Sequence, residues 1–141
     1  IAALLARVSN MRQTNRLAVV AVVDTSGSVE RFFRPADAGQ SAINAARTYL
    51  RQATGTLGPE DALGMVAFDG RSVSIATPAR AAVWERELNF QRVEGTNIAD
   101  ALRMAAAMIP PDAAGRIVLM SDGNQTAGDA VAAAQEIAGR M

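Results

Sequence analysis

Apolar and polar positions along the chain follow two periods, and they divide it into strands and helices. Leu17-Ala-Val-Val-Ala-Val-Val23 is a continuous, β-branched apolar run without alternation, the pattern of a strand buried on both faces of a parallel sheet. It reads as the central strand. From Ala38 to about Ala53 the apolar positions Ile43, Ala46, Leu50 and Ala53 recur at helical spacing with Arg47 and Arg51 on the other side, which predicts an amphipathic helix packed on the sheet. Gly58-Pro59-Glu60-Asp61 predicts a turn and Ala62 to Phe68 a second strand. Asp69-Gly70 then forms a tight turn into a third, antiparallel strand over Ser72 to Ala76.

After Pro78 the pattern is weak around Trp84 and Phe90. Asn97 to Met108 then reads as a helix with Ile98, Leu102, Ala105 and Ile109 along one stripe, stopped by Pro110 and Pro111. Arg116 to Met120 reads as a second buried strand, and Gly128 to Gly139 as a closing helix with Val131, Ala134 and Ile137 or Ala138 inward. Ile1 to Met11 begins a short amphipathic helix within a lead-in over residues 1–15. The order strand, helix, strand, strand, helix, strand, helix predicts an α/β fold, in which ligands bind outside the carboxyl ends of the parallel strands.

Composition narrows the chemistry. The 141 residues are half apolar, enough for one domain with its own core over 1–141. Fourteen basic residues balance fourteen acidic ones, which gives no footprint for nucleic acid or an anionic membrane surface. The chain has no Cys and no His, and all its basic residues are Arg. Thiol nucleophiles, Ser-His-Asp triads, Cys/His zinc sites, phosphate-loop lysines and Schiff bases are thereby excluded. The remaining chemistry runs on carboxylates, hydroxyls, Arg and backbone, which suits a hard cation. The missing Cys leaves the redox compartment open. No apolar run approaches the ~20 residues that span a bilayer. The helix still running at Met141 reads as the end of a piece cut from a longer protein.

Two strands run into aspartates at what should be the same rim: Asp24-Thr25-Ser26-Gly27-Ser28 and Ser121-Asp122-Gly123. Strand-like alternation would turn Asp24, Ser26 and Ser28 to one side, with Gly27 letting the loop curl. Glu94-Gly95-Thr96-Asn97 opens a helix whose Thr96 hydroxyl would join them. Taken singly, each segment also reads as a helix cap or a common turn. Together, two carboxylates and three hydroxyls form an all-oxygen set of low charge, suited to a weak, six-coordinate Mg²⁺ or Mn²⁺ site with an open position.

These residues resemble the von Willebrand factor type A (vWA) domain with its metal-ion-dependent adhesion site, whose pattern is Asp-x-Ser-x-Ser, a later Thr, and an Asp after the fourth strand. The resemblance runs from Arg16 onward and looks most like bacterial members embedded in membrane-anchored multidomain proteins. It implies a Rossmann-like, doubly wound, mostly parallel sheet flanked by helices, with one antiparallel edge strand and the last strands of the family fold missing. It also implies that Ser26 and Ser28 bind the metal directly, Thr96 directly or through water, and that Asp24 and Asp122 mostly hold its waters. Mg²⁺ is the implied ion, with Mn²⁺ or Ca²⁺ as alternatives, and an acidic residue of a protein partner takes the open position.

Glu30, Phe33, Asp69 and Gly123 stand as rim or supporting residues. Glu94 replaces a Gly common in the family, and Phe32-Phe33, between Arg31 and Arg34, makes the rim loop bulky. The absent strands would leave Arg116 to Met120 at an open sheet edge, which invites a homodimer. The expected function is a metal-dependent, non-enzymatic protein-binding module. An alternative is an intramolecular scaffold in a larger, membrane-anchored bacterial protein. A Mg²⁺-dependent phosphohydrolase is remote, because that chemistry wants an Asp where Ser26 stands and a Lys.

Overall fold

A computed structural model describes residues 15–31, 41–80 and 91–140. The predicted N-terminal helix, Phe32, Phe33 and Arg34, and Trp84 and Phe90 lie outside the described residues. The elements are β1 (Leu17–Asp24), α1 (Gly27–Glu30), α2 (Ala42–Thr54), β2 (Ala62–Phe68), β3 (Ser72–Ala79), α3 (Ile98–Met108), β4 (Ala114–Met120) and α4 (Ala130–Ala138). They build a four-stranded sheet in the order β3-β2-β1-β4, with β1 parallel to both β2 and β4 and β2 antiparallel to β3. This is the α/β architecture expected.

β1 is central because it can be covered on both faces. Val20 and Val22 pack toward α3 and α4 with Val66, Phe68, Ile98, Leu102 and Ala105. Ala21 and Val23, one residue out of phase, pack toward α2 with Ala46, Leu50, Met65 and Ile75. Large side chains such as Phe68 and Met65 are fully buried, each stabilising the fold by about 1.5–3 kcal/mol. Capping side chains define the helix starts: Ser41 accepts from the Asn44 N–H (3.2 Å), Asn97 from Asp100 (3.1 Å) and Asp129 from Ala132 (2.9 Å).

Three expectations are corrected. β3 continues past Ala76 to Ala79 through Pro78, which is tolerated because β3 is an outer strand among the described residues and its pairing with β2 is irregular between Leu63 and Met65. β4 begins at Ala114 and is only half-buried, with Leu119 43% exposed, because it is an outer strand among the described residues. In α4 the inward residues are Ala133 and Ile137, whereas Val131 is 66% exposed and Ala134 and Ala138 are also outside. An Ala-rich segment has little periodic signal of its own. Its phase follows from the Asp129 cap, from Gln125 accepting the Ala130 N–H (3.1 Å), and from the small Ala133 side chain in the core shared with α3.

Candidate metal centre

The register aligns the carboxyl ends of three strands. Val23 pairs with Ala67 on one side and Met120 on the other, so β1, β2 and β4 release their loops at one edge. Thr25 donates both its N–H (2.7 Å) and its hydroxyl (2.9 Å) to the Phe68 carbonyl, tying the first loop to the end of β2.

Asp24 is fully buried. Its Oδ1 accepts the Ser26 N–H at 2.9 Å and its Oδ2 accepts the Ser121 hydroxyl at 2.6 Å. The chain then leaves strand geometry: Ser26 is the N-cap of α1 and Ser28 lies within that helical turn. The two serines therefore do not converge by strand alternation. Ser26 makes no side-chain cap bond, and its hydroxyl instead meets that of Ser28 at 3.0 Å. Gly27 has open space where a Cβ would stand and no left-handed backbone, so the turn does not demand glycine there.

Asp122 is exposed. The Asn124 N–H, donated at 3.0 Å, holds the Asp122 carboxyl below the usual carboxylate range against the opposing effect of burial, and the neighbouring Ser28 hydroxyl adds to the lowering. Asp24, Ser26 and Ser28 are thus joined by hydrogen bonds, with the Asp122 carboxylate beside them.

Thr96 is buried on the same edge but is held by other residues. The Asn97 N–H donates to the Asp69 carbonyl (2.9 Å) and the Thr96 N–H to Thr126 Oγ1 (2.8 Å). The buried Asp69 carboxylate accepts from the Arg71 N–H (2.9 Å) and the Val93 N–H (2.8 Å), so it organises the Thr96 loop. Glu30 is likewise engaged elsewhere, accepting the Ala42 N–H (3.3 Å) at the start of α2 and standing 4.0 Å from Arg92. Gly123 makes the turn after Asp122 at φ +82° and donates its N–H to Ser121 Oγ (3.0 Å). Phe33 lies outside the described residues. Sequence reasoning missed Ser121 and Thr126. Ser121 had a local signal, a hydroxyl beside an aspartate at a strand end; Thr126 had none.

The donor set is compatible with a hard cation. Among the described residues no three His, Cys, Asp or Glu side chains cluster, and the polar side chains at this edge are carboxylates and hydroxyls. A carboxylate offers roughly four lone-pair positions. Asp24 uses two of them on neutral donors.

The sequence pattern of the von Willebrand factor type A domain matches residues 19–125. The chain belongs to the vWA domain family. All five of the residues that resemble the adhesion-site pattern lie within the matched span of this vWA domain, whereas Thr126 falls just beyond it. A UPF0353 protein of Mycolicibacterium vanbaalenii is 32% identical over 126 residues, covering 79% of this chain and 36% of that protein. Two solved structures share the fold: an aerotolerance-related membrane protein from Bacteroides fragilis (TM-score 0.71, 23% identity, 88% of this chain and 63% of that one) and the conserved hypothetical protein BatB from Bacteroides thetaiotaomicron (TM-score 0.70, 21% identity, 88% and 62%). This vWA domain therefore spans only part of the length of each relative.

Proposed function

We propose that this vWA domain is a metal-dependent protein-binding module and not an enzyme, with Asp24, Ser26, Ser28, Thr96 and Asp122 holding Mg²⁺, Mn²⁺ or Ca²⁺ and an Asp or Glu of a partner protein completing the site. The observation that carries this reading is the pair of hydroxyls, Ser26 and Ser28, 3.0 Å apart between a fully buried and an exposed carboxylate. A bound divalent cation supplies Lewis acidity toward an external carboxylate, the more so when few anions of the protein touch it. The protein's part is to orient neutral oxygens. The Asp24 carboxylate fixes the loop backbone through Ser26, and Asp122 borders Ser28 from the solvent side.

Calorimetric titration of the chelator-stripped chain with Mg²⁺, Mn²⁺ and Ca²⁺, beside Ser26→Ala and Asp24→Asn, tests this. Weak, saturable binding that both variants lose is the expected result, followed by chelator-sensitive capture of a partner presenting Asp or Glu. A wild-type chain that binds none of the three ions overturns the reading.

A second reading is favoured by length, since the chain spans 36% of its curated relative. The same edge would then dock another domain of a longer, membrane-anchored parent protein. In that case chelation would loosen the parent protein without releasing a separate partner.

A further inference from the structure

Thr126, which the metal reading leaves without a role, ties together the two loops that carry Thr96 and Asp122. It lies between β4 and α4, in the same loop as Asp122. Its Oγ1 accepts the Thr96 N–H at 2.8 Å, and its own N–H donates to the Thr96 carbonyl at 2.9 Å. The Ala127 N–H adds a bond of 3.3 Å to the same carbonyl. The bracket engages the Thr96 backbone from both sides, so the origin of the Thr96 side chain is set by Thr126.

The clearances between the loops agree. Gly95, at φ +109°, leaves room for Thr126: a Cβ there would stand 3.0 Å from Thr126 Oγ1. Gly128, at φ +75°, does the same on the far side, where a Cβ would stand 2.9 Å from the Ala99 Cβ and 3.0 Å from Asn97 Oδ1. Side chains at 95 or 128 would push the loops apart.

We infer that Thr126 is a positioning residue, which sets the place of the Thr96 hydroxyl relative to Asp122 and thereby tunes cation affinity; this rests on the metal-binding reading above. A hydroxyl that only stabilised the fold would alter the unfolding midpoint without acting on the cation through Thr96.

The test is Mn²⁺ calorimetry on the full chain for wild type, Thr126→Val, Thr126→Ser, Thr96→Ala and the Thr96→Ala/Thr126→Val double variant, with thermal midpoints measured alongside. Thr126→Val, which leaves the Thr96 N–H unpaired, is expected to weaken Mn²⁺ binding about tenfold, while Thr126→Ser restores it to within about threefold. In the Thr96→Ala background, Thr126→Val should cause no further loss, because two residues acting through one contact are not additive. Wild-type affinity in Thr126→Val, equal losses in Val and Ser, or additive losses in the double variant would each overturn the assignment.

If Thr126→Val does not fold, the wild-type chain decides: on Mg²⁺ titration the Thr96 and Thr126 amide resonances should shift with one midpoint, and a shift of Thr96 alone overturns the coupling. A wild-type chain that binds none of Mn²⁺, Mg²⁺ and Ca²⁺ defeats the metal reading and this inference with it. That result is distinct from normal wild-type binding that Thr126→Val leaves unchanged.

Discussion

The Ser121 hydroxyl donates a 2.6 Å hydrogen bond to the Asp24 carboxylate across 97 residues of sequence. Because Asp24 is fully buried, that donor cannot simply be replaced by bulk water. Ser121→Ala should therefore destabilise the fold by about 1.5 kcal/mol, the usual scale for a hydrogen bond to a charged group. Urea unfolding measures this, and a variant as stable as wild type would show that the carboxylate finds another donor. The same burial makes Ser26→Ala the milder probe of the metal centre, since removing the Asp24 carboxylate strands two donors at once.

Gly70 underlies the Thr96 loop. Its N–H donates to the Val93 carbonyl (3.2 Å), and a Cβ on it would collide with the backbone carbonyl of Glu94 and stand 2.9 Å from Val93 Cγ1. Gly70→Ala should cost about 1–3 kcal/mol, the range for forcing extra atoms into a packed contact. Thermal unfolding reads the loss. An unchanged midpoint would mean that residues 93–94 yield without strain.

Asp61 makes the start of β1 sensitive to acid. Its Oδ1 accepts the Leu17 N–H (2.9 Å) at the start of β1 and its Oδ2 the Gly58 N–H (2.7 Å), and these bonds hold its pKa below the ordinary 3.8. A carboxyl with a depressed folded pKa contributes stability that is present above 3.8 and lost as pH falls through the lower folded value. Asp61→Asn should thus lower the unfolding midpoint at neutral pH, and the gap to wild type should close as pH drops below 3.8. A gap that stays constant with pH would contradict this linkage.

The phase of α4 can be tested with two charges. Val131→Asp places a carboxylate in solvent and should change stability by no more than about 0.5 kcal/mol. Ala133→Asp buries an unpaired charge against α3 and should cost at least about 3 kcal/mol. Circular dichroism melts of the pair distinguish the two faces. The opposite order would restore the inward face expected from sequence.

Much of this vWA domain was legible in its residues. The unbroken apolar run of Leu17 to Val23 can be satisfied only with cover on both sides, which determined a central strand. Apolar spacing and prolines delimited α3, and Asp69-Gly70 marked the turn between β2 and β3. The Asp-x-Ser-x-Ser segment, Thr96 and Asp122 were found as candidates because hydroxyls and acids at strand ends are a local signal. Periodicity, capping and turn chemistry act over a few residues and are written in them directly.

The tertiary structure alone decided the rest. The bond from Ser121 to Asp24, the commitment of Asp69 to the Val93 N–H and the bracket between Thr96 and Thr126 join residues far apart in the chain. So does the seating of Ala133 rather than Ala134 against α3. Such contacts follow from strand order and register, which the backbone ladders select for the whole sheet at once, and no local stretch of sequence carries that information.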